Sequence, residues 1–186
     1  MPFRLTLVAF ALALAPAAHS AEKAPDFATV TNDGSSIKLS EQVKQQQTVL
    51  LFWASWCPYC KALMPHLHSL KLEYGDELRI VAIHFRDDAE GQGYVERMGY
   101  DFTVVPDGGP IARRYGIHGT PGLIVPDSDL NVAFDLRELP RREFPDSEEA
   151  LTHTQKAAFR APYWAAEIRR TLDRLDAAAA NGPEAR

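Results

Sequence analysis

The chain has 186 residues, a formal net charge of −5 and 24 % charged residues. The two signs are interspersed, so no basic face marks it as a nucleic-acid binder. Only two cysteines are present, Cys57 and Cys60. That is too few for the several structural disulfides of many exported domains, so the core alone must hold the fold.

Residues 1–4 form a short basic start, residues 5–15 an apolar stretch, and residues 16–20 a small-residue region with Ala18 and Ser20 at the −3 and −1 positions of a cleavage site. The pattern predicts a secretory signal peptide over residues 1–20, too short to span a bilayer comfortably. It places the domain outside the cytoplasm, most simply in a bacterial periplasm. An uncleaved anchor is the alternative. The folded domain is expected over residues 21–180, with a tail at 181–186.

Phe27 to Thr31 and Ser36 to Leu39 read as two short strands around the turn Asn32-Asp33-Gly34, forming an N-terminal hairpin. Residues 40–47 are polar and suit a short helix or loop. Residues 48–54 are an almost unbroken apolar run, the signature of a strand covered on both faces. Pro58 then opens a helix to about Glu73 with Leu63, Leu67, Leu70 and Tyr74 in one stripe, and Pro65 is expected to kink it. Strands follow at 78–85, 102–105, 123–125 and 132–136, with short helices at 90–98 and 110–115. The β-α-β crossover requires a parallel pair and the closing hairpin an antiparallel one, so the sheet is mixed. Residues 137–161 form a charged, proline-punctuated stretch, in which Ser147 could start a short helix. The last helix is expected over 162–180, with Trp164, Ile168, Leu172 and Leu175 on one side.

The chemistry concentrates at Trp56-Cys57-Pro58-Tyr59-Cys60, where a buried strand delivers Cys-x-x-Cys to the first turn of a helix. A helix start offers free N–H groups and a positive dipole end, and both stabilise a thiolate. With no third cysteine to complete a zinc site, dithiol/disulfide exchange is the expected chemistry, without cofactor or metal.

Ala24-Pro-Asp-Phe27, Asp33-Gly34, the run Leu51 to Cys60, Pro65 and Gly119-Thr-Pro121 together resemble the thioredoxin superfamily, and more closely its exported TlpA-like branch, which includes thioredoxin-like proteins of cytochrome c maturation. The resemblance implies an α/β thioredoxin-like fold, a central mixed sheet flanked by helices, with the hairpin as an N-terminal extension. It implies that Cys57 is the exposed nucleophile, Cys60 the buried resolving thiol and Pro121 a cis-proline facing them, leaving the Thr120 backbone free to pair with a substrate segment. Trp56, Pro58 and Tyr59 complete the expected substrate-binding set. Pro58-Tyr59 is also the dipeptide of glutaredoxins, whose potentials lie roughly 40–70 mV above thioredoxin's. Protein thiols and disulfides are the implied substrates, with reduction favoured over oxidation, and a membrane protein is the implied electron donor or acceptor. A monomer is expected.

Three positions depart from the family pattern. Leu51 and Leu63 stand where some relatives carry an acid that could take the proton of the resolving thiol, and residues 137–161 are longer than the usual link to the last helix. His118, three residues before Pro121, is a candidate for tuning a thiol. His66, His68, Lys61, Arg113 and Arg114 read as solvated or packed surface, and His84 as structural. A copper chaperone using Cys57, Cys60 and a histidine is the alternative from another class. The Pro-x-x-x-Thr-x-x-Cys pattern of a peroxiredoxin nucleophile is absent.

Overall fold

The computed structural model describes residues 22–87, 91–141, 144 and 150–181; residues 1–20 and Ser147, on which the leader and an extra helix start were expected, lie outside this set. Strands β1 (Ala28–Val30) and β2 (Ser36–Lys38) pair antiparallel with Thr29 opposite Ile37. Their turn closes on Asp33, whose carboxyl accepts from the Thr31 hydroxyl and from the Ser35 N–H and hydroxyl. These bonds, that of Thr31 first, hold the carboxyl down to about 2. Gly34 takes φ +81° in this turn, a conformation side chains disfavour.

Helix α1 (Leu39–Gln45) leads into β3 (Gln47–Trp53), the centre of a five-stranded sheet. β3 runs parallel to β4 (Leu78–His84), which runs parallel to β5 (Thr103–Val105). On its other side β3 pairs antiparallel with β6 (Gly122–Pro126), and β6 with β7 (Val132–Asp135). The sheet is therefore mixed, in the order β5-β4-β3-β6-β7.

The unbroken apolar run of β3 follows from its position. Successive side chains of a strand point to opposite faces, and both faces are covered here. Val49, Leu51 and Trp53 pack into one cluster with Leu63, Leu67, Ile168 and Leu172, while Leu50 and Phe52 pack into another with Phe27, Leu39, Ile111 and Tyr115. The first cluster is roofed by α2 (Pro58–Tyr74) and α5 (His153–Ala180); the second lies under the hairpin, α1 and α4 (Gly109–Arg114). Helix α3 (Gly91–Arg97) leads toward β5 on the sheet edge.

Helix α2 carries Pro65 in its interior, with the Ser69 hydroxyl donating to the Pro65 carbonyl. One detail differs from the sequence expectation. Helix α5 starts at His153, nine residues before Pro162, and Pro162 lies inside it rather than at its first turn. The start is fixed by a capping box in which the Thr152 side chain accepts from the Gln155 N–H and the Gln155 side chain accepts from the Thr152 N–H. Ala157 and Ala161 then bury the added turns.

Leu67 is fully buried between α2 and the sheet. Leu67→Ala should cost about 2–5 kcal/mol of stability through lost transfer and a residual cavity; an unchanged urea midpoint would show that this cluster does not hold the sheet and helices together.

Candidate active site

The site forms where β3 ends. The Trp53 carbonyl accepts from the Phe85 N–H, the chain turns through Ala54 to Trp56, and the Cys57 N–H closes that turn on the Ala54 carbonyl at 3.1 Å. Cys57 is the N-cap of α2, in extended conformation, and Pro58 fills the first helical position. Its sulfur replaces the usual capping oxygen and accepts from the Cys60 N–H at 3.2 Å.

Both cysteines are free thiols, and both are buried: Cys57 is 1 % exposed and Cys60 fully enclosed. The expectation of an exposed Cys57 is therefore corrected. As a cap, its sulfur turns back over the helix end and under the loop carrying Thr120, instead of outward.

The two thiols are held in opposite protonation states. Cys57 is lowered from the ordinary value of 9.0 to about 6, first by the hydrogen bond from the Cys60 side chain, then, against the opposing effect of burial, by the Thr120 side chain and the N–H groups of Cys60 and Tyr59. Cys60 is pushed far up by burial, and further by its bond to Cys57 and the charge there. At neutral pH the pair therefore holds one thiolate and one thiol sharing a proton.

The Thr120–Pro121 peptide bond is cis, as the resemblance implied, and both residues are half-buried. This loop acts on the thiols through Thr120 and not through His118, whose side chain is exposed and whose carbonyl accepts from Arg86. Leu51 and Leu63 are fully buried, so no carboxylate occupies either position. Tyr94 lies close enough to feel Cys60: its hydroxyl is raised first by burial and then by that sulfur's charge.

The remaining candidates separate clearly. Trp56 is 55 % exposed, and its indole N–H donates to the Arg86 carbonyl at 3.0 Å. Pro58 is half-buried, and Tyr59 lies against α5 beside His153, Arg160 and Trp164. His68 packs on Tyr100 and Phe102, Lys61 reaches over the Tyr94 ring, and Arg113 and Arg114 are exposed on α4. His84 is core: it is 3 % exposed, lies against Trp53 and bonds the Asp87 carboxylate at 3.1 Å. Among the described residues, no three His, Cys, Asp or Glu side chains gather in a group that could hold a metal ion. No helix among them is long and apolar enough to cross a membrane.

Sequence reasoning missed the segment after Phe85. Asp87 accepts from the Ser55 N–H as well as from His84. Arg86, at φ +61°, binds Trp56 through its carbonyl and the His118 carbonyl through its guanidinium. A positive φ cannot be read from an arginine in a sequence, because nothing in the residue type asks for it.

A thiolate at a helix start, facing a cis-proline on this sheet order, defines the thioredoxin-like class. Within it, residues 21–135 match the AhpC/TSA family, and the chain belongs to that family. It is 32 % identical over 111 residues to a protein of Halalkalibacterium halodurans named thiol-disulfide oxidoreductase ResA, covering 58 % of this chain and 62 % of that one. A thioredoxin-like protein YneN of Bacillus subtilis is 28 % identical over 110 residues, covering 57 % and 64 %. The chain thus spans less than two-thirds of the length of these curated relatives. A crystal structure from Chlorobium tepidum, described as a DsbE-type thiol:disulfide interchange protein, superposes with a TM-score of 0.54 at 30 % identity, over 62 % of this chain and 82 % of that one.

Alkylation of Cys57 by iodoacetamide should rise with pH around a midpoint of about 6. Cys60→Ala, which removes the largest stabilising bond, should move that midpoint upward, and Thr120→Val should move it less. A midpoint near 9.0 in the parent chain would mean that these bonds do not stabilise the thiolate.

Proposed function

We propose that the protein is an exported thiol–disulfide oxidoreductase that reduces disulfides of other proteins through Cys57 and Cys60. The observation that supports this most directly is the division of labour between the two sulfurs, a stabilised thiolate at Cys57 and a buried protonated thiol at Cys60.

The Cys57 thiolate attacks a partner disulfide, forming a mixed disulfide and releasing one partner sulfur as thiolate. Cys57, no longer a thiolate, then ceases to be a strong acceptor for the Cys60 thiol proton. With leucine at positions 51 and 63, that proton goes to a departing partner sulfur as the Cys60 sulfur attacks Cys57. The chain leaves as a disulfide and the partner as one thiol and one thiolate, which takes its proton from water. Two electrons have moved to the partner, and the membrane protein that recharges the chain must return them. Stabilising the Cys57 thiolate favours the reduced dithiol and raises the potential, so the recharging partner sets the direction of flow.

A cytochrome c maturation role in a periplasm agrees with the TlpA-like resemblance, and the names of the relatives agree with thiol–disulfide exchange. A peroxidase reading gains nothing from family membership, because the positions that would carry its threonine and proline are Ala54 and Leu50, both fully buried.

Cys57→Ser should abolish reduction of a protein disulfide, and Cys60→Ser should accumulate mixed disulfides resolvable on a non-reducing gel. Full turnover by the Cys60→Ser protein would remove Cys60 from the resolving role. Thiol alkylation in intact cells should find the pair mostly reduced; a mostly oxidised pool would reverse the proposed direction.

A further inference from the structure

Just past the end of β4, a carboxylate is buried against the turn that leads to the dithiol. The Asp87 side chain is 7 % exposed and that of His84 4 %. One oxygen of Asp87, Oδ2, accepts both from the Ser55 N–H and from His84 Nε2, the latter at 3.1 Å. Bonds from N–H groups to an ionised carboxylate are stronger than neutral ones, and a carboxylate enclosed this far would be costly without them. None of the exchange steps uses this group.

Its holder is rigid. His84 ends β4 in register with Trp53, the last residue of β3, and the two rings lie 5.0 Å apart. The His84 carbonyl accepts from the Gly108 N–H at 2.8 Å. A Cβ on Gly91 would come within 2.6 Å of the His84 ring, and one on Gly108 within 2.2 Å of the Ile83 side chain, so the imidazole has no room to swing. The sheet end thus fixes His84, His84 fixes the carboxylate, and the carboxylate holds Ser55, two residues before the helix cap Cys57. Arg86 next door holds a side chain of the turn, the Trp56 indole, whereas Asp87 holds its main chain.

We propose that Asp87 is a positioning residue for the nucleophile: its buried carboxylate, held by His84, anchors the Ser55 N–H and thereby the turn that sets the Cys57 sulfur over the Cys60 N–H. The inference rests on the oxidoreductase reading for the use of that sulfur, and deepens it by naming what keeps the sulfur in place. The bonds that stabilise the thiolate come from Cys60, Thr120 and the N–H groups of the first turn. Each of them requires the sulfur to stay where the cap puts it, so a turn released at Ser55 weakens them together.

The test reads the pH midpoint of Cys57 alkylation by iodoacetamide in the full chain. Asp87→Ala removes the anchor; the midpoint should rise by about one unit, and alkylation well below it should fall about tenfold. Asp87→Asn keeps an oxygen for the Ser55 N–H and should stay at the parent midpoint of about 6. Loss of charge alone would move both variants downward, because a nearby carboxylate opposes a thiolate. An unmoved midpoint in Asp87→Ala, or a fall in both variants, overturns the proposal. Should Asp87→Ala fail to fold, exchange of the Ser55 amide, followed by NMR in the parent chain, decides: a slow amide supports the anchor, and exchange at the rate of an open loop overturns it. Reduction of hydroxyethyl disulfide by the parent chain is measured in parallel. Its absence sinks the oxidoreductase reading while the midpoints still judge Asp87; reduction alongside an unmoved midpoint does the reverse.

Discussion

A sulfur, where an oxygen normally sits, caps helix α2, and the site depends on that substitution. The Cys57 side chain accepts the Cys60 N–H and thereby satisfies one of the orphan donors of the first turn. The same geometry places Cys60 one turn on, where its own thiol can donate to Cys57. Structural capping and thiolate stabilisation are thus one contact. What stabilises the start of the helix also stabilises the thiolate, and the second thiol is set within reach by helix pitch alone.

That contact can be placed so reproducibly because of β3. A strand buried on both faces has no freedom to slide, since a one-residue slip would exchange its two apolar sets. Val49, Leu51 and Trp53 are committed to the α2–α5 side and Leu50 and Phe52 to the other. The end of the strand is accordingly a fixed point, from which the turn through Ala54 to Trp56 delivers the cap. The cis-proline loop is aimed from the adjoining strand: Gly122, just after Pro121, pairs with Phe52 in β3. Both halves of the site hang from the same few residues of sheet.

Much of this was legible in the sequence because the signals are local. The apolar run of β3, the proline at the start of α2 and the glycines ending the short helices each act within a few residues. The boundary of α5 was misplaced because two local signals competed: Pro162 suits a first helical position, but the Thr152/Gln155 box lies further back and the buried Ala157 and Ala161 carry the helix through. The burial of Cys57 could not be read, because it depends on a loop more than sixty residues away in sequence.

Arg86 carries a consequence that the thiols do not reveal. Its carbonyl holds the indole of Trp56 and its guanidinium holds the carbonyl of His118, so one residue braces the loop before the dithiol and the loop before the cis-proline. It does so at φ +61°, a backbone state a residue with a Cβ adopts only against resistance. The mouth of the site therefore behaves like a clasp with a sprung pin: its width is governed from outside the chemistry. A sequence change at this single position would loosen two loops at once, one on each side of the dithiol.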